Sequence, residues 1–216
     1  FPAKKVCIIK RVINLCKKVL GSRANKTNKT VTTLKEPIVL SRDQHPVSRQ
    51  FMSSSALKVL YRLNKGGYDA YLVGGGVRDI LLGLKPKDFD IATNATPEQI
   101  KKLFRRARVI GRRFQLVHVR IGRDVIEVST YRGSDTAHQE QRRGRAKKKI
   151  PPNNVFGRRD EDVLRRDFTI NALYYDPVKE VVTDYVDGLG HIQERRLEII
   201  GDPRERFSED PVRMLR

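Results

Sequence analysis

Apolar residues recur with the spacings of helices and strands through the middle of the chain, and they predict an α/β domain. Helical spacing is present at 54–66, 77–82 and 96–106, with Ser54 or Ser55 expected to cap the first helix. Runs rich in apolar residues predict strands at 68–73, 89–92, 107–110, 114–121, 125–130, 181–185 and 197–200. A last helix is predicted at 207–216, with Ser208 as its N-cap.

Both ends of the chain and one internal segment lack this regularity. Residues 1–52 are predicted to form a basic amphipathic helix at 4–20 and then a flexible polar linker. A surface helix or a disordered arm is favoured there over a membrane-associated helix. Segment 134–152 has almost no apolar residues, which predicts a mobile basic loop. Because the chain starts with Phe1 and stops inside a predicted helix, we expect it to be a fragment.

The net charge of the chain indicates which class of molecule it binds. The 216 residues include 45 Lys and Arg but only 25 Asp and Glu, a net charge of +20. Such an excess indicates a polyanionic partner, with nucleic acid ranked before an anionic membrane, and argues against an enzyme of small neutral molecules. No apolar run approaches the roughly 20 residues of a membrane-spanning helix. The two cysteines, Cys7 and Cys16, fit a reducing cytoplasm, and the spacing of the four histidines does not indicate zinc.

Two carboxylates stand one residue apart at the start of a predicted strand. Side chains at i and i+2 of a strand point to the same side, with Cα atoms roughly 7 Å apart. Asp88 and Asp90 could therefore share a divalent cation, although two solvated aspartates are the common alternative. Glu127 lies on the polar side of the predicted strand 125–130. On a neighbouring strand of the same sheet it would either complete the metal site or form a salt bridge.

A glycine-rich turn precedes the acidic pair. Gly74, Gly75 and Gly76 follow an apolar strand and open a helix, where backbone N–H groups and the positive end of the helix can bind phosphate. Arg78 lies one turn into that helix and can bind phosphate oxygens through two donors at once. The sequence is neither a Walker A motif nor a dinucleotide fingerprint. A tight strand-to-helix turn without a ligand is the alternative.

Two further charged segments are candidates for nucleotide binding. Arg165 and Arg166 could bind phosphates beside Asp167, which could accept from ribose hydroxyls or serve the reaction centre. Asn171 follows Asp167 by four residues and is expected to share its helix face, while a basic helix start is the alternative. In the last predicted helix, Asp210 and Arg213 are spaced to offer an acceptor and a donor to a base edge, or to form an ordinary ion pair.

Taken in order, these segments resemble four motifs of the class II nucleotidyltransferases of the polymerase β superfamily, the tRNA nucleotidyltransferase/poly(A) polymerase family. The matching stretches are 72–79, 87–90, 165–172 and 209–216. The surrounding sequence is most similar to the bacterial poly(A) polymerases, at 61–67, 84–99, 109–118, 154–157 and 200–216. Two features depart from the family pattern, namely His191 and the strongly basic run at 142–149.

The resemblance implies a polymerase β-like head at 53–185, with a mixed or antiparallel sheet flanked by helices, and the start of an α-helical neck at 186–216. It implies template-independent transfer of AMP from ATP to RNA 3′ ends with Mg²⁺. The family's catalytic residues correspond to Asp88, Asp90 and Asp167, and its metal ligands to Asp88, Asp90 and, less securely, Glu127. Its nucleotide-binding residues correspond to Gly75, Gly76, Arg78, Arg165, Arg166, Asp210, Arg213 and Arg216.

Several alternatives stay open at this stage. The third carboxylate could be Glu127 or Asp167. The RNA 3′ end and ATP are the expected partners, with proteins of RNA decay as further candidates and no membrane. CCA addition to tRNA is the second function that fits, and an RNA-binding module without activity is the third. We expect weak activity from this chain alone, because the predicted base-reading helix ends at Arg216.

Overall fold

One mixed β-sheet organises the molecule. The computed structural model describes residue 34 and residues 36–111, 115–133 and 156–215. The strands are β1 Ile38–Leu40, β2 Ala70–Val73, β3 Asp90–Thr93, β4 Ala107–Ile110, β5 Leu116–Ile121, β6 Asp124–Thr130, β7 Leu173–Asp176 and β8 Val181–Asp184. They are ordered β1-β8-β7-β2-β3-β6-β5-β4. Neighbouring strands are antiparallel except β3 and β6, which run parallel.

Short helices flank the sheet, and the predicted α/β class is confirmed. They are α1 Ser54–Lys65, α2 Gly75–Leu81, α3 Pro97–Leu103, α4 Arg159–Arg165, α5 Gly188–Gln193 and α6 Pro203–Glu209. Single 3-10 turns lie at Arg42–Gln44, Arg49–Phe51 and Thr169–Asn171, and a longer one at Pro211–Leu215.

The helix starts follow from local capping chemistry. Thr96 caps α3 as predicted: its hydroxyl accepts from the Gln99 N–H at 3.3 Å, and the Gln99 side chain accepts from the Thr96 N–H at 2.8 Å. For α1 the predicted caps Ser54 and Ser55 are wrong. Ser53 is the N-cap, because its hydroxyl is the one placed to accept from the N–H three residues on, Ala56, at 3.1 Å.

The predicted helix at 207–216 is wrong in its limits. Asp202 caps α6 by accepting from the Arg204 and Glu205 N–H groups at 2.8 and 3.1 Å, so the helix starts before Ser208. It ends at Glu209 because Pro211 excludes the helical conformation at Asp210, whose φ and ψ are −144° and 92°. A 3-10 turn follows.

Two predicted strands differ from the structure. At 197–200 only Ile199 pairs, through one bridge to Phe168, because no further strand lies there to extend a ladder among the described residues. Segment 114–121 pairs from Leu116 onward, and Phe114 lies outside the described residues. The other strands agree with their predicted limits to within two residues, the usual uncertainty of strand ends.

The two faces of the sheet carry separate apolar clusters. On one face Leu72, Ile91, Val117 and Val128 pack against α1, α2 and α3. On the other face Val73, Ala92 and Tyr174 pack with Val163 of α4 and with Tyr131, Ala172, Tyr185, Val186 and Ile200. The second cluster covers the region of β7, β2 and β3. The candidate carboxylates lie on this second face, at its margin.

The sheet reaches beyond the predicted head at 53–185. β1 belongs to the stretch expected to be linker, yet it pairs with β8 through Val39 opposite Thr183. On the other side, α5 packs on the Thr169–Asn171 turn, and the Thr169 hydroxyl lies 2.8 Å from His191 Nδ1. Within the described residues, those up to Ile200 form one compact unit and those from Gly201 form another. The start of a neck domain at 186 stays a prediction.

Two predicted segments lie outside the described residues, the basic helix at 4–20 and the basic loop at 134–152. In the part of the chain that is described, no helix has the length and apolar character needed to cross a membrane.

The capping box of α3 gives a test of the fold. Replacing Thr96 by Ala leaves the Gln99 N–H without its acceptor, so we expect the free energy of unfolding to fall by about 1 kcal/mol. Thr96→Ser keeps the hydroxyl and serves as the matched control. Urea unfolding monitored by circular dichroism measures both. Equal stabilities of the two variants would contradict the assigned cap.

Candidate active site

A strand-to-helix turn brings backbone close to the acidic pair. Gly74, the N-cap of α2, has φ 72° and ψ −145°, a conformation that side chains disfavour. A Cβ at Gly74 would lie 3.5 Å from Asp90 Oδ2. At Gly76 a Cβ would come within 3.3 Å of the Asp88 carbonyl oxygen, so this glycine lets α2 pass the segment before β3. The turn is therefore shaped around the two aspartates.

Asp88 and Asp90 differ in their surroundings. Asp88 is exposed and precedes β3, whereas Asp90 is the first residue of β3 and is half-buried. Burial, together with repulsion from Glu127 and Asp88, raises the pKa of Asp90 to about 6, while Arg166 acts in the opposite direction. Asp88 and Glu127 therefore both act on Asp90. Such mutual repulsion is what a bound cation would relieve.

Glu127 stands directly opposite Asp90. The parallel register pairs Asp90 with Glu127, and the antiparallel register on the other side pairs Glu127 with His118. Glu127 Oε2 lies 3.6 Å from His118 Nε2. The prediction that Glu127 lies on a neighbouring strand of the same sheet is confirmed. The contact with His118 was missed, because strand register is not readable from residue spacing.

The acidic site has the donor chemistry of a magnesium site without forming a closed cage. Within the residues that the structure describes, no three His, Cys, Asp or Glu side chains form a complete metal-binding group. Mg²⁺ keeps several water ligands and is commonly held by one or two carboxylates together with substrate phosphates. The exposed Asp88 and the half-buried Asp90 fit that mode of binding.

Arg78 joins the glycine turn to the second charged segment. Its Nη2 and Nε donate to Asp79 Oδ1 at 2.7 and 3.0 Å, and its Nη1 donates to Asn171 Oδ1 at 2.8 Å. Asn171 Nδ2 in turn donates to Asp167 Oδ1 at 3.4 Å. A Cβ at Gly75 would lie 3.3 Å from Arg78 Nη2. The guanidinium is thus held in place beside the turn by two polar partners.

The expected helix through Asp167 and Asn171 is wrong. Asp167 lies after the end of α4 and before the 3-10 turn Thr169–Asn171, and Asp167 Oδ1 also accepts from the Phe168 N–H at 2.8 Å. The two side chains nevertheless meet, because the bend after α4 brings them together. The alternative of a basic helix start is also wrong, since Arg165 is the last residue of α4.

The two arginines before Asp167 have different partners. Arg166 Nη2 lies 2.9 Å from Asp162 Oδ2, and its Nε donates to the Tyr174 hydroxyl at 2.9 Å. That hydroxyl donates to Asp162 Oδ2 at 2.7 Å, which closes a triangle of three groups. Arg165 Nη1 donates to the Gly133 carbonyl oxygen. Arg166 is thereby fixed within electrostatic reach of Asp90.

Asp162 and Arg132 are two site residues that were missed in the sequence. Asp162 is 6% exposed and also accepts from the Arg132 N–H at 3.2 Å. Burial lowers the pKa of Arg132, and the nearby Arg165 and Arg166 lower it further, whereas Asp162 acts in the opposite direction. The i and i+4 spacing of Asp162 and Arg166 could have predicted their ion pair from the sequence. No residue spacing in the sequence indicates the position of Arg132.

The predicted base-reading residues lie in the second compact unit. Arg213 is 7% exposed, and its Nη1 donates to Glu209 Oε2 at 2.9 Å and to the Arg206 carbonyl oxygen at 2.6 Å. Asp210 Oδ1 accepts from the Val212 N–H at 3.2 Å. The expected shared helix face of Asp210 and Arg213 is not formed, because α6 ends at Glu209, before both residues, and Arg213 lies in the 3-10 turn that follows. Arg216 lies outside the described residues.

Comparison with known proteins agrees with this architecture. The family model "Poly A polymerase head domain" matches residues 70–198. Poly(A) polymerase I of Salmonella typhimurium is 51% identical over 210 residues, which cover 95% of this chain and 45% of that protein. A CCA-adding enzyme of Lactobacillus helveticus is 40% identical over 162 residues, which cover 74% of this chain and 38% of that protein. The chain thus spans less than half the length of these curated relatives.

A solved structure shares the fold. The crystal structure of Bacillus stearothermophilus CCA-adding enzyme in complex with CTP has a TM-score of 0.62 and 33% identity, and the match covers 76% of this chain and 38% of that one. This chain belongs to the family of the poly(A) polymerase head domain.

Proposed function

We propose that this chain is the catalytic head of an enzyme that adds AMP from ATP to RNA 3′ ends without a template and releases pyrophosphate. The observation that carries the proposal is the register that sets Asp90 opposite Glu127, with Asp88 two residues away and the glycine turn against them. Three carboxylates beside a glycine-rich turn that opens a helix match nucleotidyl transfer. The net charge of +20 suits a nucleic-acid substrate.

Each part of the site has a role in this scheme. The backbone N–H groups of Gly75 and Gly76 face the triphosphate, and Arg78 supports that turn through Asp79 and Asn171. Arg165 and Arg166 supply positive charge near the transferred phosphate. The reaction is a displacement at phosphorus, so the protein contributes position and charge rather than a covalent intermediate.

Asp88 and Asp90 would hold Mg²⁺ in this proposal. The raised pKa of Asp90 supports that assignment, because a carboxyl under repulsion from two others favours a cation as partner. When bound, Mg²⁺ would neutralise phosphate charge and acidify the attacking hydroxyl.

Glu127 is the better candidate for the third carboxylate. It faces Asp90 across the parallel pair and is one of the charges acting on it. Asp167 accepts from Asn171, whose amide oxygen accepts from Arg78, so its contacts lead to the glycine turn. We therefore assign Glu127 to the metal side and Asp167 to nucleotide positioning.

CCA addition to tRNA is the second candidate, since CCA-adding enzymes share the fold and 40% identity. The proposal of poly(A) addition rests on the higher identity and coverage of the poly(A) polymerase I relatives, 51% over 95% of the chain. A cytoplasmic location and partners among proteins of RNA decay complete the proposal.

Nucleotide choice tests the two candidates. The full natural protein carrying this chain is supplied with a short RNA and one nucleotide at a time. Long tails with ATP and little use of CTP are expected. Use of CTP that ends after a defined CCA addition would instead establish the second candidate, and no incorporation with any nucleotide would refute both.

The acidic pair gives a direct test of catalysis. Asp88→Asn and Asp90→Asn each remove a proposed metal-binding charge, so we expect AMP incorporation to fall by roughly three orders of magnitude. Asp69→Asn, at an exposed residue just before β2, serves as the matched control and keeps activity. An active Asp90→Asn enzyme would refute the assignment.

The raised pKa of Asp90 predicts a pH-dependent cost to stability. Because the folded state holds this proton more tightly than the unfolded state, stability falls as pH rises from 3.8 to about 6, and the cost persists above that pH. In chelator at neutral pH, Asp90→Asn should raise the free energy of unfolding by about 1 kcal/mol, a value discounted for partial exposure. The gain should vanish at about pH 4. Urea unfolding at both pH values, with Asp69→Asn as control, checks this.

Steady-state kinetics can distinguish the two candidates for the third carboxylate, Glu127 and Asp167. Glu127→Gln is expected to lower kcat by about a hundredfold with little change in the KM for ATP. Asp167→Asn should mainly raise the KM for ATP, because it loosens Asn171 and through it Arg78. Steady-state kinetics of both variants on one RNA decide the matter, and exchanged effects would reverse the assignment.

A further inference from the structure

The sheet face that carries the candidate carboxylates continues beyond them to the edge of the sheet. Asp90 pairs with Glu127, Glu127 with His118, and His118 with Arg108. Residues directly opposite each other in a ladder project from the same face. These four side chains therefore form one row across β3, β6, β5 and β4, with the acidic end at the active site and Arg108 at the edge.

A second row lies beside the first on the same face. Arg120 pairs with Val125, and the Arg120 N–H donates to the Arg106 carbonyl oxygen at 3.2 Å, which continues the ladder with β4. Arg106 and Arg120 therefore face each other directly across the ladder. Two like charges in that position destabilise a strand pair. A bound anion would offset this repulsion.

The three arginines are exposed. Among the described residues, no ion pair involves Arg106, Arg108 or Arg120. The nearest acid in sequence, Asp124, projects from the opposite face, where it accepts from the Ser55 hydroxyl at 2.6 Å. Along the first row, the acids that follow the arginines are Glu127 and Asp90, which are proposed metal ligands. The area is thus a positive extension of the active-site face.

Exposed apolar side chains flank the arginines, with Val125 opposite Arg120 and Ile110 two residues after Arg108. Val125 is 54% exposed and Ile110 44% exposed, and both project from this face. A triphosphate would use only the positive charge. Single-stranded RNA would use both features, because its phosphates pair with cations while its bases pack on apolar or aromatic surface. Arg108 lies two strand spacings, about 10 Å, from Glu127, a distance that the end of an RNA strand spans easily.

We propose that this surface, the arginine face (Arg106, Arg108 and Arg120 with Val125 and Ile110), binds the nucleotides of the RNA that immediately precede its 3′ end. The RNA would run along the row from Arg108 towards Glu127, so that its terminal hydroxyl arrives beside the carboxylates. The inference rests on the proposed function and adds the path of the RNA on the head itself.

The double variant Arg108→Gln/Arg120→Gln tests the arginine face in the full natural protein. Binding of a short oligo(A) without ATP is followed by fluorescence anisotropy over a range of salt concentrations. Loss of two phosphate contacts should weaken binding about tenfold and reduce the slope of log affinity against log salt by about 1.4. The KM for ATP should not change.

A matched variant removes the same charge elsewhere. Lys101 and Arg105 are exposed at the end of α3, which packs on the opposite face through Ile100. Lys101→Gln/Arg105→Gln should bind the oligo(A) like the wild type. Equal weakening in both variants would show a diffuse charge effect and overturn the proposal. Unchanged RNA binding with a raised KM for ATP in the first variant would also overturn it, because the surface would then serve the triphosphate.

The outcomes separate this inference from the proposed function. If the wild type extends RNA with AMP and the arginine variant binds oligo(A) as tightly, only the RNA path is wrong. If the wild type adds no nucleotide to RNA, the proposed function fails, and the RNA path fails with it.

Discussion

The parallel pairing of β3 with β6 is the constraint on which the candidate site depends. It holds Asp90 opposite Glu127 although the two carboxylates repel each other. The pairing is kept by the next residues along both strands, Ile91 and Val128, which are opposite each other and fully buried. Burying two such side chains contributes about 3 to 6 kcal/mol, more than the roughly 1 kcal/mol of repulsion.

The register between β3 and β6 determines which face of the sheet carries the carboxylates. Because side chains alternate along a strand, a shift of one residue would turn both carboxylates into the apolar core and both apolar side chains out. The core beneath the sheet therefore positions the chemistry above it. Two hydrogen-bonded groups complete the site from outside β3 and β6. They are the series from Arg78 through Asn171 to Asp167 and the triangle of Arg166, Asp162 and Tyr174. These hydrogen bonds fix the charged side chains around the site, and a fixed geometry is what positioning a substrate requires.

Part of the geometry of the candidate site could be predicted from the sequence, and the remainder depends on contacts between distant segments. Local signals placed the glycine turn and the Thr96 cap correctly, because each depends on neighbouring residues. Asp88 and Asp90 were reasoned as a pair on one strand, whereas only Asp90 lies on β3. Glu127 was found because its strand has a clear polar side. Its contact with His118 and the roles of Asp162 and Arg132 depend on register and on packing between distant segments, which no spacing reports. The last helix was misplaced because Ser208 was chosen as the cap over Asp202, which is followed by Pro203.

The order of strands in the sheet has a consequence for how the protein is made. β2 and β3 are an antiparallel pair that comes early in the chain, joined through α2, but their outer neighbours β6 and β7 both come later. A growing chain that has reached β3 therefore carries Asp90 on a strand with one edge open, and Glu127 joins only after the β5–β6 hairpin returns. Long-range pairings of this kind are slow to form. During synthesis the open edge of β3 must stay unpaired until β6 emerges. An unpaired strand edge favours misassembly, so this is the stage at which chaperones would protect the chain.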